Sequence, residues 1–344
     1  MLKKTGIYKW LNHKTFGILI SILFLFLIFH NISLSQFLES IKSFNILYAI
    51  PAIITYTLSY FIRAYRWKQL LSVSKELNYW GVLKALYIGY MANTLLPARM
   101  GEIYRAHILG TEQNIKRSSV LASIVAERIF DGLTLFSLLV ILILFFHKST
   151  ILLEICITTG LIFLTGFALI IIVSRSSKTQ STRINKIISF LPKNIKDKVE
   201  TMINAFINGL KVIHSTKALM FIILTSIAAW FLEWATMFLI VSGFTLNNTV
   251  SPLTVAFLVV LVAFSTMIPS GPAFVGPYQY AFILALDLSS ITKDASLAVA
   301  VTTQFVMVAP VVIIGMSLLW HSHLSMKDIE NDKFEEIPET EVNS

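Results

Sequence analysis

The sequence predicts an all-α, polytopic membrane protein of about eight spans with additional re-entrant or broken helices. Three observations carry that prediction. Of the 344 residues 56% are hydrophobic and only 14% charged, against about a quarter charged in soluble domains. The mean hydropathy is +0.74. The apolar residues also come in long uncharged blocks, each near the roughly 20 residues that cross a hydrocarbon core. This composition excludes a soluble enzyme, a disordered chain and a disulfide-stapled domain; the single Cys156 forms no internal bridge.

Uncharged blocks at 15–38, 43–62, 155–174 and 295–326 each fit one span. The first carries no small-residue cleavage site and reads as a retained span. Residues 118–146 give another span, with charges in its first half. The 53 uncharged residues from Trp234 to Leu286 are too many for one helix, and Pro and Gly punctuate them. They read as the end of one span followed by spans at about 252–268 and 273–289. Ala85 to Ala98 is uncharged for only 14 residues and ends beside Pro97, so a re-entrant or broken helix fits better than a crossing.

Residues 1–326 form one transmembrane domain in this reading. Its 175–217 loop is basic, and Val199, Met202, Ile203, Phe206, Leu210 and Ile213 recur within it at helical spacing. That stripe suits either an interfacial helix or a cytosolic helix packed on the domain. The tail 327–344 is acidic and expected to be disordered. Alternate loops hold 24 and 3 basic residues, which places both termini in the cytoplasm by the positive-inside rule. The excess positive charge is therefore topology, and no nucleic-acid partner is expected.

Polar groups at membrane depth are costly and point to function. Glu127 and Asp131 stand four apart and share a helical face, and Arg128 is placed to reach Asp131. Such a cluster binds a cation, a proton or its own members, or else anchors the cytoplasmic end of its helix. In the segment Asn93 to Glu102, followed by Arg105, Pro97 and Gly101 break a helix while Arg99 and Arg105 supply positive charge. Freed amides beside arginine suit a phosphate, with Glu102 positioning Arg99 and Arg105. Pro269 to Gln279 contains Ser270, Tyr278 and Gln279 among three prolines and two glycines, Gly271 and Gly276, which forbids a regular helix. Pro97-Ala98-x-x-Gly101 and Pro272-Ala273-x-x-Gly276 share one pattern. Interrupted segments in matching halves suggest a transporter-like inverted repeat. Glu233, between Trp230 and Trp234, is either a buried protonated carboxyl or a proton carrier.

No metal-binding, nucleotide-binding or nucleophile motif is found. The expectation is a lipid transporter and not an enzyme, with no catalytic residues, no metal and no cofactor. The alternatives are an intramembrane enzyme that modifies a lipid or polyprenyl phosphate, with the paired carboxylates as acid and base, and a membrane scaffold for a separate transferase.

N-x-L-L-P-x-R-x-G-E at Asn93–Glu102, E-R-x-x-D at Glu127–Asp131 and P-S-x-P-x-x-x-G at Pro269–Gly276 occur in that order. With them the chain, over about 10–320, resembles the flippase-like membrane proteins (UPF0104 type) related to the transmembrane region of lysylphosphatidylglycerol synthase. The resemblance implies re-entrant helices, an inverted repeat and movement of lipid between leaflets of the cytoplasmic membrane. It also implies a lipid partner, either an anionic phospholipid or a polyprenyl-linked lipid, and in some members a separate transferase. Where the family's third motif carries Gly and a terminal Glu, this chain has Ala273 and Gln279.

Overall fold

A computed structural model describes residues 33–71, 76–96, 100–145, individual positions between 154 and 168, and residues 215–246, 249–268 and 270–322. The described residues are helical, with no strand among them. In chain order the helices are α1 (Leu34–Lys42), α2 (Ala49–Leu71), α3 (Tyr79–Leu95), α4 (Gly101–Gln113), α5 (Arg117–Phe145), α6 (Thr216–Ser242), α7 (Pro252–Ser265), α8 (Pro277–Asp287) and α9 (Lys293–His321). They belong to two compact units. The first draws on 1–59, 87–101 and 231–318, the second on 60–86, 102–230 and 319–344.

Among the described residues four segments are long and apolar enough to cross a bilayer: Ile46–Leu71, Arg117–Phe145, Thr216–Ser242 and Lys293–His321. Their uncovered faces are apolar. Ile50, Ile54 and Leu58 lie exposed at four-residue spacing on α2, and Phe305, Ile313 and Trp320 are 74%, 68% and 84% exposed on α9. Large apolar side chains turned outward in stripes of this length need lipid around them.

Two spans expected at 252–268 and 273–289 are not spans. They are α7, 14 residues, and α8, 11 residues, about 21 and 16 Å long against the roughly 30 Å needed. Thr254, early in α7, meets Ser289, just past α8, with their hydroxyl oxygens 3.2 Å apart. The two helices therefore run antiparallel as a hairpin with 266–276 at its tip. Ser251 caps α7 by accepting from the Thr254 amide, and Pro252 and Pro277 open the two helices where a missing N–H is harmless.

The 85–98 segment makes a similar arrangement. In the second unit Gln113 at the end of α4 exchanges hydrogen bonds with Asn78 just before α3, and Lys84 pairs with Glu112 at 2.6 Å. In the first unit the Gly101 amide donates to Asn93 Oδ1 at 2.8 Å. Thus α3 and α4 are antiparallel, as a broken-helix reading requires.

Of the first expected span, 15–38, residues 15–32 lie outside the described residues. Ser33 is extended, its amide donates to Asp294 Oδ1 at 2.6 Å, and α1 begins at Leu34. The described positions between 154 and 168 are helical. The basic loop and its interfacial stripe, apart from its last residues, and the acidic tail lie outside the described residues.

Candidate functional site

The second unit holds a buried ionic cluster built from residues three and four apart on four helices. On α2, Arg63 and Arg66 share a face, and Trp67 follows. On α5, Ser123, Glu127 and Asp131 form one ladder. Arg105 comes from α4, and Ser226 and Trp230 from α6. Arg66, Glu127 and Arg105 are 0%, 0% and 1% exposed, and Arg63 and Asp131 are each 5%.

Arg66 is the hub. Its Nη1 donates to Asp131 Oδ1 and to Ser226 Oγ, both at 2.6 Å, and its Nη2 lies 3.6 Å from Glu127 Oε1. Arg105 Nη2 donates to Glu127 Oε2 at 2.6 Å, and Arg63 Nη1 stands 3.7 Å from Asp131 Oδ2. The Trp230 indole also donates to Asp131 Oδ1, at 3.2 Å.

Two tryptophans cap the cations. The Arg105 guanidinium lies 3.7 Å from the centre of the Trp67 ring and that of Arg63 4.8 Å from Trp230. Trp67 is itself fixed by donating to Ser123 Oγ at 2.9 Å. Charges removed from water are tolerated only when paired and hydrogen-bonded, and the short contacts are charge-assisted bonds.

Glu127 and Asp131 thus face one partner set together, as their spacing implied. Arg66 is the arginine hydrogen-bonded to Asp131 at 2.6 Å; Arg128, half-buried, also acts on Asp131 electrostatically and places Nη2 3.7 Å from Glu102 Oε1. One assignment needs correction. Glu102 therefore lies beside Arg128, and the carboxylate that positions Arg105 is Glu127, because Arg105 turns into the core while Glu102 stays at its edge. Arg63 and Arg66 escaped the sequence reading, which ended a span at residue 62 and assigned them to a basic loop. The signal was there: two arginines three apart with an adjoining tryptophan, in phase with the apolar helix before them.

The first unit gathers a different set. Asn93 caps α4 through Gly101. At the second tip Ala273, Phe274 and Gly276 have φ of 55°, 58° and 102°. Gln279 Oε1 accepts from the Gly276 amide at 2.7 Å, Gln279 Nε2 donates to Gln304 Oε1 at 2.7 Å, and Gln304 Nε2 donates to the Ala273 carbonyl at 2.5 Å. A neutral amide relay therefore pins the left-handed tip to α9. Ser270 and Tyr278 are buried with hydroxyls that have no hydrogen-bond partner among the described residues. Glu233, half-buried on α6, lies close enough to the Tyr278 hydroxyl to act on it electrostatically. Pro97 and Arg99 lie outside the described residues.

The family model for the lysylphosphatidylglycerol synthase transmembrane region matches residues 15–315. A UPF0104 membrane protein of Methanocaldococcus jannaschii is 28% identical over 70% of this chain and 99% of its own length. A second, of Methanothermobacter thermautotrophicus, is 25% identical over 64% of this chain and 69% of its own. Glycosyltransferase AglD of Haloferax volcanii is 25% identical over 90% of this chain, which spans 54% of AglD.

That last similarity corrects the expectation of a non-enzymatic chain. A relative matched along nearly all of this chain is a glycosyltransferase, and the family is named for a synthase. The sequence reading tested for nucleophile, metal and nucleotide motifs, and their absence does not speak against catalysis in this family. With its apolar spans, its paired broken helices and its match across 15–315, the chain belongs to the family of the lysylphosphatidylglycerol synthase transmembrane region.

Proposed function

We propose that this membrane protein binds the anionic headgroup of a lipid, an anionic phospholipid or a polyprenyl-linked lipid, and moves it between leaflets of the cytoplasmic membrane. The observation that carries the reading is the pair of short-helix hairpins, α3–α4 and α7–α8. Helices too short to cross place irregular backbone at membrane depth, which is tolerated where it lines a path or is buried in protein. The cluster of Arg66, Arg105, Glu127 and Asp131 supplies cations for a phosphate and carboxylates that hold them meanwhile. Arg128 with Glu102 forms an outer pair, and Glu233 beside Tyr278 is the group suited to carry a proton. Both termini face the cytoplasm in this reading.

The test is reconstitution in liposomes with labelled phosphatidylglycerol and a measure of its access from the opposite leaflet. The expected result is faster exchange than in protein-free vesicles, abolished in Arg105→Gln protein that remains monodisperse. Exchange equal to that of protein-free vesicles with every anionic lipid tried, polyprenyl phosphate included, would overturn the reading.

The similarity to AglD favours a second reading, in which the same domain takes part in glycosyl transfer on a lipid carrier, alone or with a separate transferase. Appearance of a new glycosylated lipid on incubation with a polyprenyl-phosphate sugar would support it.

A further inference from the structure

Arg66 is used on one side only. Its Nη1 is engaged by Asp131 and Ser226. The opposite edge of the guanidinium carries Nε and Nη2, and neither has a hydrogen-bond acceptor among the described residues. Glu127 Oε1, 3.6 Å from Nη2, is beyond bonding distance, and that oxygen has no donor either. Arg105 repeats the pattern: Nη2 holds Glu127 Oε2 at 2.6 Å, while Nε is without an acceptor.

In any arginine, Nε and Nη2 form a fork of two parallel N–H donors that matches two oxygens on one carbon or phosphorus. Glu127 stands between two such forks and fills neither. Buried charged donors without acceptors are costly, so this arrangement calls for one more oxyanion. If Glu127 turns so that Oε1 meets Arg105 Nε, it fills the Arg105 fork with both oxygens. The Arg66 fork is then clear, and Glu127 Oε1, Arg105 Nε and both open Arg66 donors have partners once a second oxyanion sits there.

We propose that the Nε/Nη2 edge of Arg66 is the seat for the two non-bridging oxygens of a lipid phosphodiester, and that Glu127 admits it by closing onto Arg105. The inference rests on the reading that an anionic lipid is the cargo, and it adds the anchoring residue and the group that yields. Asp131 and Ser226 hold the far side of Arg66 and so aim the fork beforehand. Trp67 fixes the plane of the Arg105 guanidinium that receives Glu127. Both supports precede the ligand, so little ordering is left for binding to bring about.

The purified full-length protein in detergent is titrated with short-chain phosphatidylglycerol and, separately, with inorganic phosphate, as wild type, Arg66→Lys and Glu127→Gln. Lysine keeps the charge and loses the fork, so Arg66→Lys weakens binding of phosphatidylglycerol by about tenfold or more. Glu127→Gln removes the charge of the competing oxyanion and tightens binding. Opposite signs in the two variants do not arise from general loss of fold.

Unchanged affinity in Arg66→Lys, or equal weakening in both variants, overturns the proposal. So does binding of inorganic phosphate alone, which would make the seat one for a free anion. Lipid exchange in liposomes separates this inference from the transport reading. Exchange that survives Arg66→Lys sinks the seat and leaves transport standing, whereas fork-dependent binding without exchange in the wild type does the reverse.

Discussion

Gln279 shows how much one atom decides at the second hairpin tip. The relay from the Gly276 amide through Gln279 and Gln304 to the Ala273 carbonyl has a donor at one end and an acceptor at the other. Both amide orientations are fixed by that polarity. An ionised glutamate, acceptor only, serves Gly276 but has no proton for Gln304, which must then turn its donor away from Ala273. Gln279→Glu is therefore expected to cost about 1–3 kcal/mol at neutral pH, the price of a buried unsatisfied group. Protonation restores the missing donor, so the variant's stability is present in acid and lost as the pH rises through the glutamate's pKa. Thermal unfolding in detergent from pH 4 to pH 8 checks this; a parallel profile for wild type and variant would contradict it. Gln279 thus caps the Gly276 amide and links it to Gln304.

Among the elements, the two hairpins share a sequence pattern but not a mechanism of closure. Gly101 begins α4 and Gly276 caps α8, the corresponding places of Pro-Ala-x-x-Gly. A Cβ on Gly101 would overlap the backbone carbonyl of Gly89 and the Asn93 side chain, so glycine is required there by the approach of two helices. At Gly276 the requirement is conformational, a φ of 102° that other residues rarely adopt. Gly101→Ala and Gly276→Ala should each destabilise by about 1–3 kcal/mol, the first by overpacking and the second by strain. Gly166 is the control, since a Cβ there meets only Ile129 at an ordinary 4.0 Å. Gly166→Ala should be neutral or slightly stabilising in the same unfolding assay. Equal losses at all three glycines would remove the distinction.

For the whole molecule, the charge distribution makes a prediction independent of the site. Lys42 closes α1 and Lys293 opens α9, and both belong to the basic-poor set of loops. Lys68 and Lys116 belong to the basic-rich set. In a Cys156→Ser background, single cysteines at 42 or 293 should react with an impermeant maleimide in intact cells. Cysteines at 68 or 116 should react only after permeabilisation. The reverse pattern would invert the topology and with it the side from which lipid headgroups enter. Three arginines counted in that bias, Arg63, Arg66 and Arg105, are buried in the cluster, yet without them the basic-rich side still exceeds the other severalfold.

The membrane class, the breaks at Pro97–Gly101 and Pro269–Gly276, and the shared face of Glu127 and Asp131 follow from the sequence alone. Each depends on local quantities: run length, helix-breaking residues and the 3.6-residue period. Only the tertiary structure decided that α7 and α8 are halves of a hairpin, because an uncharged run shows how much chain avoids water and not where it turns back. It alone decided which arginine meets which carboxylate. Arg66 and Asp131 are 65 residues apart in the chain, and no spacing rule connects groups brought together by the packing of separate helices.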